Sequence, residues 1–385
     1  MPEVLAPPLS LYVHLPWCVR KCPYCDFNSY TGGDDASRQR YLEALCRDLE
    51  SEAPRASGRP LASVFLGGGT PSLFRPPEIG RLLDAMRSHL ECSHDVEITM
   101  EANPGAVEHG NLAGYRDAGV NRLSIGAQSF DAGRLTALGR IHSVEDIGAT
   151  VREAVAAGFD DINIDIMYAL PGQDVAGALA DIDAAAALQP THLSWYQLTL
   201  EPNTVFHARP PQDLPDEDRA FEIQQVGEAR LTELGFERYE VSAWARDGRR
   251  CRHNLNYWSF GDYLAVGAGA HGKWTMSEGM LRYRKSANPL QYMQQVEAGC
   301  EPGATQVVGG ADLLFEFMLN ALRLVDGFDE QLFTDRTGLP RPLLHERLAP
   351  LVTRGLVAGE TGGRWCPTPK GRQFLNDLQA HFLPE

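Results

Sequence analysis

From Leu11 to Leu198, short apolar and β-branched runs alternate with longer stretches whose apolar residues recur at helical spacing. The runs Leu11–Leu15, Ser63–Leu66, Val96–Met100, Asn121–Ile125, Asp161–Ile166 and His192–Leu198 predict strands. Ser37–Ser51, Pro77–Leu90, Val144–Ala157 and Ala176–Leu188 predict the helices between them. Strands joined through helices of that length pair in parallel, because a parallel pair needs a long crossover. Six such β-α units predict an α/β fold, an open TIM-like partial (β/α)6 barrel. A flat doubly wound sheet is the alternative that periodicity leaves open.

The pattern changes after this repeat. Gly267-Ala268-Gly269 predicts a loop over the sheet, and the Gly/Pro-containing segment Cys300–Gly310 predicts a linker. Helices are then expected over Ala311–Val325, Asp329–Thr334 and Arg341–Thr353. Leu356–Val357 and Trp365-Cys366 flank a turn at Gly362-Gly363, and Gly371–Phe382 closes the chain as a helix. Helices followed by a tight two-stranded wing predict a small winged-helix-like domain. The expected division is therefore 1–300 for the barrel with its extension and 301–385 for the C-terminal domain.

Composition narrows the partners. The 385 residues are 43% hydrophobic and 22% charged, ordinary for a globular protein, with a formal net charge of -16. An acidic balance, which holds over the C-terminal helices too, argues against nucleic acid and against anionic membrane surfaces. Met1–Ser10 holds no basic region followed by an apolar run, and no stretch is long enough to span a bilayer. Cytoplasmic location, with no integral membrane segment, is the expectation; a homo-oligomer is compatible with the sequence.

Three of the eight cysteines crowd into Cys18, Cys22 and Cys25, straight after the first predicted strand. In a reducing compartment that spacing reads as metal or cluster ligation rather than disulfides. Three thiolates can hold three irons of a cubane cluster and leave the fourth open. Zinc would want a fourth protein ligand, for which His14 is available. A redox dithiol would need only two cysteines.

The stretch Tyr12-Val-His14-Leu-Pro16-Trp17-Cys18 with Cys22-Pro-Tyr24-Cys25 resembles the signature of the radical SAM superfamily. More narrowly, it is similar to the group of oxygen-independent coproporphyrinogen III dehydrogenase and the heme chaperones related to it. The resemblance runs from Leu9 to Leu383 and includes Thr368–Asn376 near the end. It implies a [4Fe–4S] cluster on Cys18, Cys22 and Cys25, with S-adenosylmethionine on the open iron. It carries Tyr12 and the Gly67–Pro71 turn (Gly68, Gly69, Thr70) into the cofactor site. Glu101 would take the methionyl amine and Arg140 the methionyl carboxylate, a match that guanidinium makes well. Gln128 would contribute beside them, and Asp165 would accept from the ribose hydroxyls. Apart from Tyr12, each of these residues ends, or shortly follows, a predicted strand, where barrel sites form.

Two features divide the group. The dehydrogenases carry a further cysteine two residues after the third; here the residues are Cys25-Asp26-Phe27. They also carry an extension ahead of the cluster loop, where this sequence has Met1 to Trp17. Arg252-His253-Asn254-Leu-Asn-Tyr257-Trp258 resembles instead the HNxxYW signature of the heme chaperones. A neutral imidazole suits heme iron, Tyr257 and Trp258 offer flat apolar faces, and Arg249, Arg250 and Arg252 could meet propionates. His253 is the expected heme contact, with His271 and His14 as rivals and a structural histidine as the plain alternative. The resemblance thus implies a heme chaperone handing heme to an acceptor protein; the alternative is an oxidative decarboxylase of coproporphyrinogen.

Overall fold

The computed structural model describes residues 6–105, 112–276, 279–300, 303–360 and 363–384. Gly362 of the expected turn and residues 301 and 302 of the expected linker lie outside these.

All six expected strands form: β1 (Leu9–Leu15), β2 (Leu61–Gly68), β3 (Cys92–Ala102), β4 (Arg122–Gln128), β5 (Ile162–Tyr168) and β6 (His192–Gln197). They pair in parallel in that order. The long helices between them are α1 (Asp35–Ala56), α2 (Pro76–His89), α3 (Val144–Ala156) and α4 (Val175–Ala187). Their starts are encoded locally. Asp34 accepts from the Ser37 N–H at α1, Asp174 from the Gly177 N–H at α4, and Ser143 with Asp146 forms a capping box at α3. The sheet is open, so the arrangement is a partial barrel with its helices outside.

Strand periodicity decides what faces where. Leu11 and Val13, Val64 and Leu66, Ile98 and Met100, Leu123 and Ile125, and Ile162, Ile164 and Ile166 belong to one core with the helices. The alternate positions are polar or aromatic: Tyr12 and His14, Glu97 and Glu101, Arg122 and Ser124, Asn163 and Asp165, His192 and Ser194. These turn to the inside of the barrel. A parallel strand buried on both faces is usually apolar throughout, so this second face is built for polar chemistry.

The sheet does not stop at six strands. A strand over Asp262–Val266 adds to the free side of β1 in parallel. Antiparallel strands His271–Met276, Gly279–Lys285 and Gly303–Val308 follow, and beyond β6 the short antiparallel strands Ala243–Ala245 and Glu237–Arg238 complete a sheet of twelve among the described residues. The expected linker is therefore in part an edge strand. Its polar, exposed residues read as loop because one face meets solvent and only Val308 is buried. The Gly267–Gly269 loop does form, and it is held from below. Lys285 Nζ bonds Asp48 at 2.7 Å and Glu52 at 2.6 Å, both on α1, and Asp48 accepts from the Gly267 N–H at 3.3 Å. Tyr41 Oη accepts from the Ala268 N–H and donates to the His14 carbonyl.

The C-terminal helices are Gly310–Ala321, Glu330–Thr337 and Arg341–Thr353. Val357–Glu360 and Arg364–Pro367 pair as a wing, with Phe328–Asp329 on its edge. The expected closing helix is two short ones, Pro369–Gln373 and Leu375–Ala380, broken at Phe374. Among the described residues, no helix is long and apolar enough to cross a membrane.

Candidate functional site

A cavity of about 470 Å³ opens at the C-terminal ends of the parallel strands. Cys18, Cys22, Cys25, Gly68, Gly69, Thr70, Glu101, Gln128, Arg140 and Asp165 all line it. The structure thus brings together ten residues that lie up to 147 positions apart in the chain.

The cysteine loop is anchored on both sides. His14 uses one ring nitrogen on the Tyr12 hydroxyl (2.8 Å) and the other on the Asn28 carbonyl (2.9 Å). It is thereby spent as a loop anchor, and it is not a fourth metal ligand. Asn28 donates to the carbonyls of Ala268 (2.9 Å) and Ala287 (2.8 Å), tying the loop to the strand extension. Burial pushes the Cys18 and Cys25 thiols up, against the hydroxyls of Thr70 and Ser29 on Cys18 and the Phe27 backbone on Cys25. No fourth cysteine or histidine joins the three among the cavity's described lining residues. That suits a cluster with one open corner and not a closed zinc site.

The glycines that line the cavity also make room for the cysteine loop. A Cβ on Gly69 would sit 2.6 Å from the Trp17 carbonyl oxygen and 2.8 Å from that of Leu15. Gly68 has φ +113°, and its Cβ would enter the His14 ring at 2.4 Å. They admit the cysteine loop's own backbone, beside the cavity they line. The Gly68 N–H then donates to Glu101 at 3.0 Å.

Glu101 is pushed up to about 8 by burial, with the Asp165 charge adding and the Gly68 N–H opposing. A carboxyl kept from ionising by its surroundings is a place for an arriving cation such as an amine. Arg140 faces Cys22 Sγ at 3.5 Å and is fixed by Asn103 Oδ1 (2.5 Å) and the Gly126 carbonyl (2.8 Å). Its Nε is buried without a hydrogen-bond partner among the described residues. Gln128 sits at φ +68°, beside an irregularity in β4 pairing, and accepts from the Tyr196 hydroxyl at 2.7 Å. A left-handed glutamine at a strand end is strain of the kind that collects at ligand sites. The donor set therefore fits the cluster and the cofactor. Asn103, Ser124 and Tyr196 also line this cavity. Their signal was present as polar residues at inward strand positions or one step past a strand end.

Two expected contacts lie elsewhere. Tyr12 packs inside the barrel, stacked on Phe65 at 6.1 Å, and is not among the lining residues. His253 lies on the short helix Arg252–Trp258, 6% exposed, against Phe65 at 4.2 Å. Its Nδ1 meets Glu97 Oε1 at 3.1 Å, and burial pushes the ring below its ordinary value against that bond. Glu97 is held below the usual carboxylate range. Burial would raise it, but His253, the Arg122 charge and the Arg252 N–H prevail. Glu97, Cys251 and His253 converge as metal-ligand types. The carboxylate, however, is taken by the N–H groups of Arg252 (2.8 Å) and His253 (3.2 Å), beside a buried arginine. The trio is a seat for the helix. The basic cluster is also engaged: Arg249 faces Asp160, Arg250 Asp326 and Arg252 Asp95. His271 is exposed, at the start of its strand.

The family model described as the radical SAM superfamily matches residues 12–184, and that of the HemN C-terminal domain matches residues 310–374. Fold and cavity define a radical SAM protein, a class that implies a [4Fe–4S] cluster and S-adenosylmethionine. The chain is 44% identical over 383 residues to the heme chaperone HemW of Escherichia coli, covering 99% of this chain and all of that one. It is 42% identical to the HemW of Haemophilus influenzae, with both chains fully covered. Among solved structures it resembles coproporphyrinogen III oxidase from Escherichia coli, with a TM-score of 0.83 and 26% identity, covering 98% of this chain and 90% of the other. The chain belongs to the HemW family of radical SAM proteins.

Proposed function

We propose that this protein is a heme chaperone that holds a [4Fe–4S] cluster and S-adenosylmethionine at the strand ends and passes heme to an acceptor protein. The observation that carries the reading is the HNxxYW helix, seated inside a barrel whose other end is a cofactor cavity, in a chain that matches named heme chaperones over its length. When bound, the cluster supplies an electron to the cofactor's sulfonium.

The protein's residues do the rest. Cys18, Cys22 and Cys25 hold the cluster, and the Arg140 guanidinium offsets thiolate charge at Cys22. Glu101 accepts the methionyl amine, Asp165 the ribose hydroxyls, and Gln128 is held by Tyr196 to bind beside them. His253 is the proposed heme contact. Its Nδ1 faces Glu97 Oε1 at 3.1 Å and Cys251 Sγ at 2.8 Å, and donation from Nδ1 to that carboxylate would leave Nε2 for the heme iron. Since the ring is buried, heme reaches it when the Arg252–Trp258 helix leaves its seat. The surface ion pairs of Arg249, Arg250 and Arg252 are weak enough to exchange for propionates.

The test is an anaerobic heme titration of the reconstituted protein in the Soret region, beside His253→Ala. Stoichiometric binding lost in the variant supports the reading with its ligand. Binding that survives moves the ligand to exposed His271. The likeness to the oxidase structure supports a second reading, oxidative decarboxylation of coproporphyrinogen. The residues Cys25-Asp26-Phe27, without the further cysteine, count against it. Carboxylate loss from coproporphyrinogen would establish it in place of the first.

A further inference from the structure

A line of side chains inside the barrel belongs neither to the cavity nor to the heme motif and joins the two. Asp165, in the cavity, accepts from Asn163 Nδ2 at 2.9 Å and from the Ser124 hydroxyl at 2.9 Å. Asn163 Oδ1 meets His192 Nδ1 at 2.6 Å, and His192 Nε2 meets the Tyr239 hydroxyl at 2.9 Å. The Tyr239 oxygen meets Asn254 Nδ2 at 3.2 Å and the Cys251 N–H at 3.3 Å. Asn254 is the second residue of the HNxxYW motif, on the helix Arg252–Trp258.

The polarity of this line is fixed by its ends. A carboxylate only accepts, so the Asn163 amide nitrogen faces Asp165 and its oxygen faces His192. His192 must then donate at Nδ1 and accept at Nε2 from the Tyr239 hydroxyl. Tyr239 in turn accepts from Asn254. Burial pushes the His192 ring well below its ordinary value, consistent with the neutral tautomer this requires. Asn163, His192 and Tyr239 are each no more than 2% exposed. With no water to substitute, opening one link leaves buried partners unmade on both sides.

We propose that the buried relay Asp165–Asn163–His192–Tyr239–Asn254 couples the cofactor cavity to the heme-motif helix, so that S-adenosylmethionine and heme each weaken the binding of the other. The inference rests on the heme-chaperone reading. Cofactor hydroxyls on Asp165 hold the relay made and the helix seated. Heme draws His253 and its neighbour Asn254 from that seat, unmaking the Tyr239 link and loosening the carboxylate. Asn163, His192 and Tyr239 are thus positioning residues that touch neither ligand. By linkage, the factor is the same in both directions.

The experiment uses the reconstituted full-length protein. S-adenosylmethionine is titrated by calorimetry with and without saturating heme, and heme by its Soret band with and without saturating S-adenosylmethionine. The expected result is an affinity loss of about fivefold or more, equal in the two directions. In Tyr239→Phe, which keeps the ring and removes the hydroxyl, both ligands bind and the factor falls to one. His192→Gln, in the middle of the line, repeats the test should the first variant fold poorly. Independent binding in the wild type, or an unchanged factor in the folded variants, overturns the relay. Failure of heme to bind the wild type at all overturns the chaperone reading and the relay with it, and the heme titration alone reveals that case.

Discussion

Cys22 and Glu101 show how far single side chains set the behaviour of the cavity. Cys22 faces Arg140, so removing its thiol takes away one of the three proposed cluster ligands and that partner of the Arg140 guanidinium. Cys22→Ala should abolish the broad visible absorption of the reconstituted cluster and reduce S-adenosylmethionine binding; a retained band would reassign the ligands. Glu101 tests the electrostatics without the cluster. Its carboxyl moves from an ordinary value of 4.5 to about 8 on folding. The folded state favours its protonated form, so its contribution is complete below about 4.5 and is lost as pH rises through about 8. Cofactor-free Glu101→Gln should therefore gain stability relative to wild type as pH rises, by up to about 1.4 kcal/mol per pH unit. Melts at pH 5 and pH 9 decide it, because a gap that does not widen removes the raised carboxyl. At this scale much was legible. The cysteine spacing and the polar residues at strand ends carried the cavity, since a barrel site forms where strands stop. The burial of Tyr12 and His253 was not, because a tyrosine or histidine in a motif reads the same whether it is exposed or packed inside a barrel.

Among the elements, the cysteine loop is the least regular and the most dependent on others. Its downstream end hangs on Asn28, which reaches two carbonyls of the strand extension. Gly269 is required there, since a Cβ would enter the Asn28 amide at 2.3 Å and its φ is +78°. Asn28→Ala should speed loss of the cluster to a chelator several-fold while the melting temperature moves by only a few degrees, because two partly exposed bonds are lost. Equal rates in the two proteins would show that the loop holds itself. The six parallel strands were legible from apolar runs, and their helices from spacing and caps. The antiparallel extension was not. His271–Met276 and Gly279–Lys285 mix charged, aromatic and small residues, and Lys273 and Lys285 are buried only because acids await them. A pairing across more than two hundred positions leaves no local trace.

For the whole molecule, that distant pairing is what closes the barrel's free side. Lys285 brings the extension onto α1 by meeting Asp48 and Glu52, all three nearly inaccessible. Removing the cation unpairs the buried Asp48 carboxylate and leaves Glu52 with Arg55 as its cation among the described residues. Lys285→Met should cost about 3–5 kcal/mol in urea unfolding of the full-length protein. It should also loosen the cluster loop, through Gly267 and Ala268. A loss below about 1 kcal/mol would mean that the acids are neutral when buried.

The C-terminal helices enclose a core of their own that the barrel side completes. Phe317, Phe328 and Phe333 pack together with Phe260, Met280 and Val308, which the barrel side supplies. The barrel has its own apolar core between Leu9 and Met293, and the second core spans the junction through Phe260, Met280 and Val308. In a calorimeter the chain should therefore melt in one cooperative peak. A protease cutting after Gly309 should leave a barrel with Phe260, Met280 and Val308 uncovered, which aggregates more readily than the whole chain.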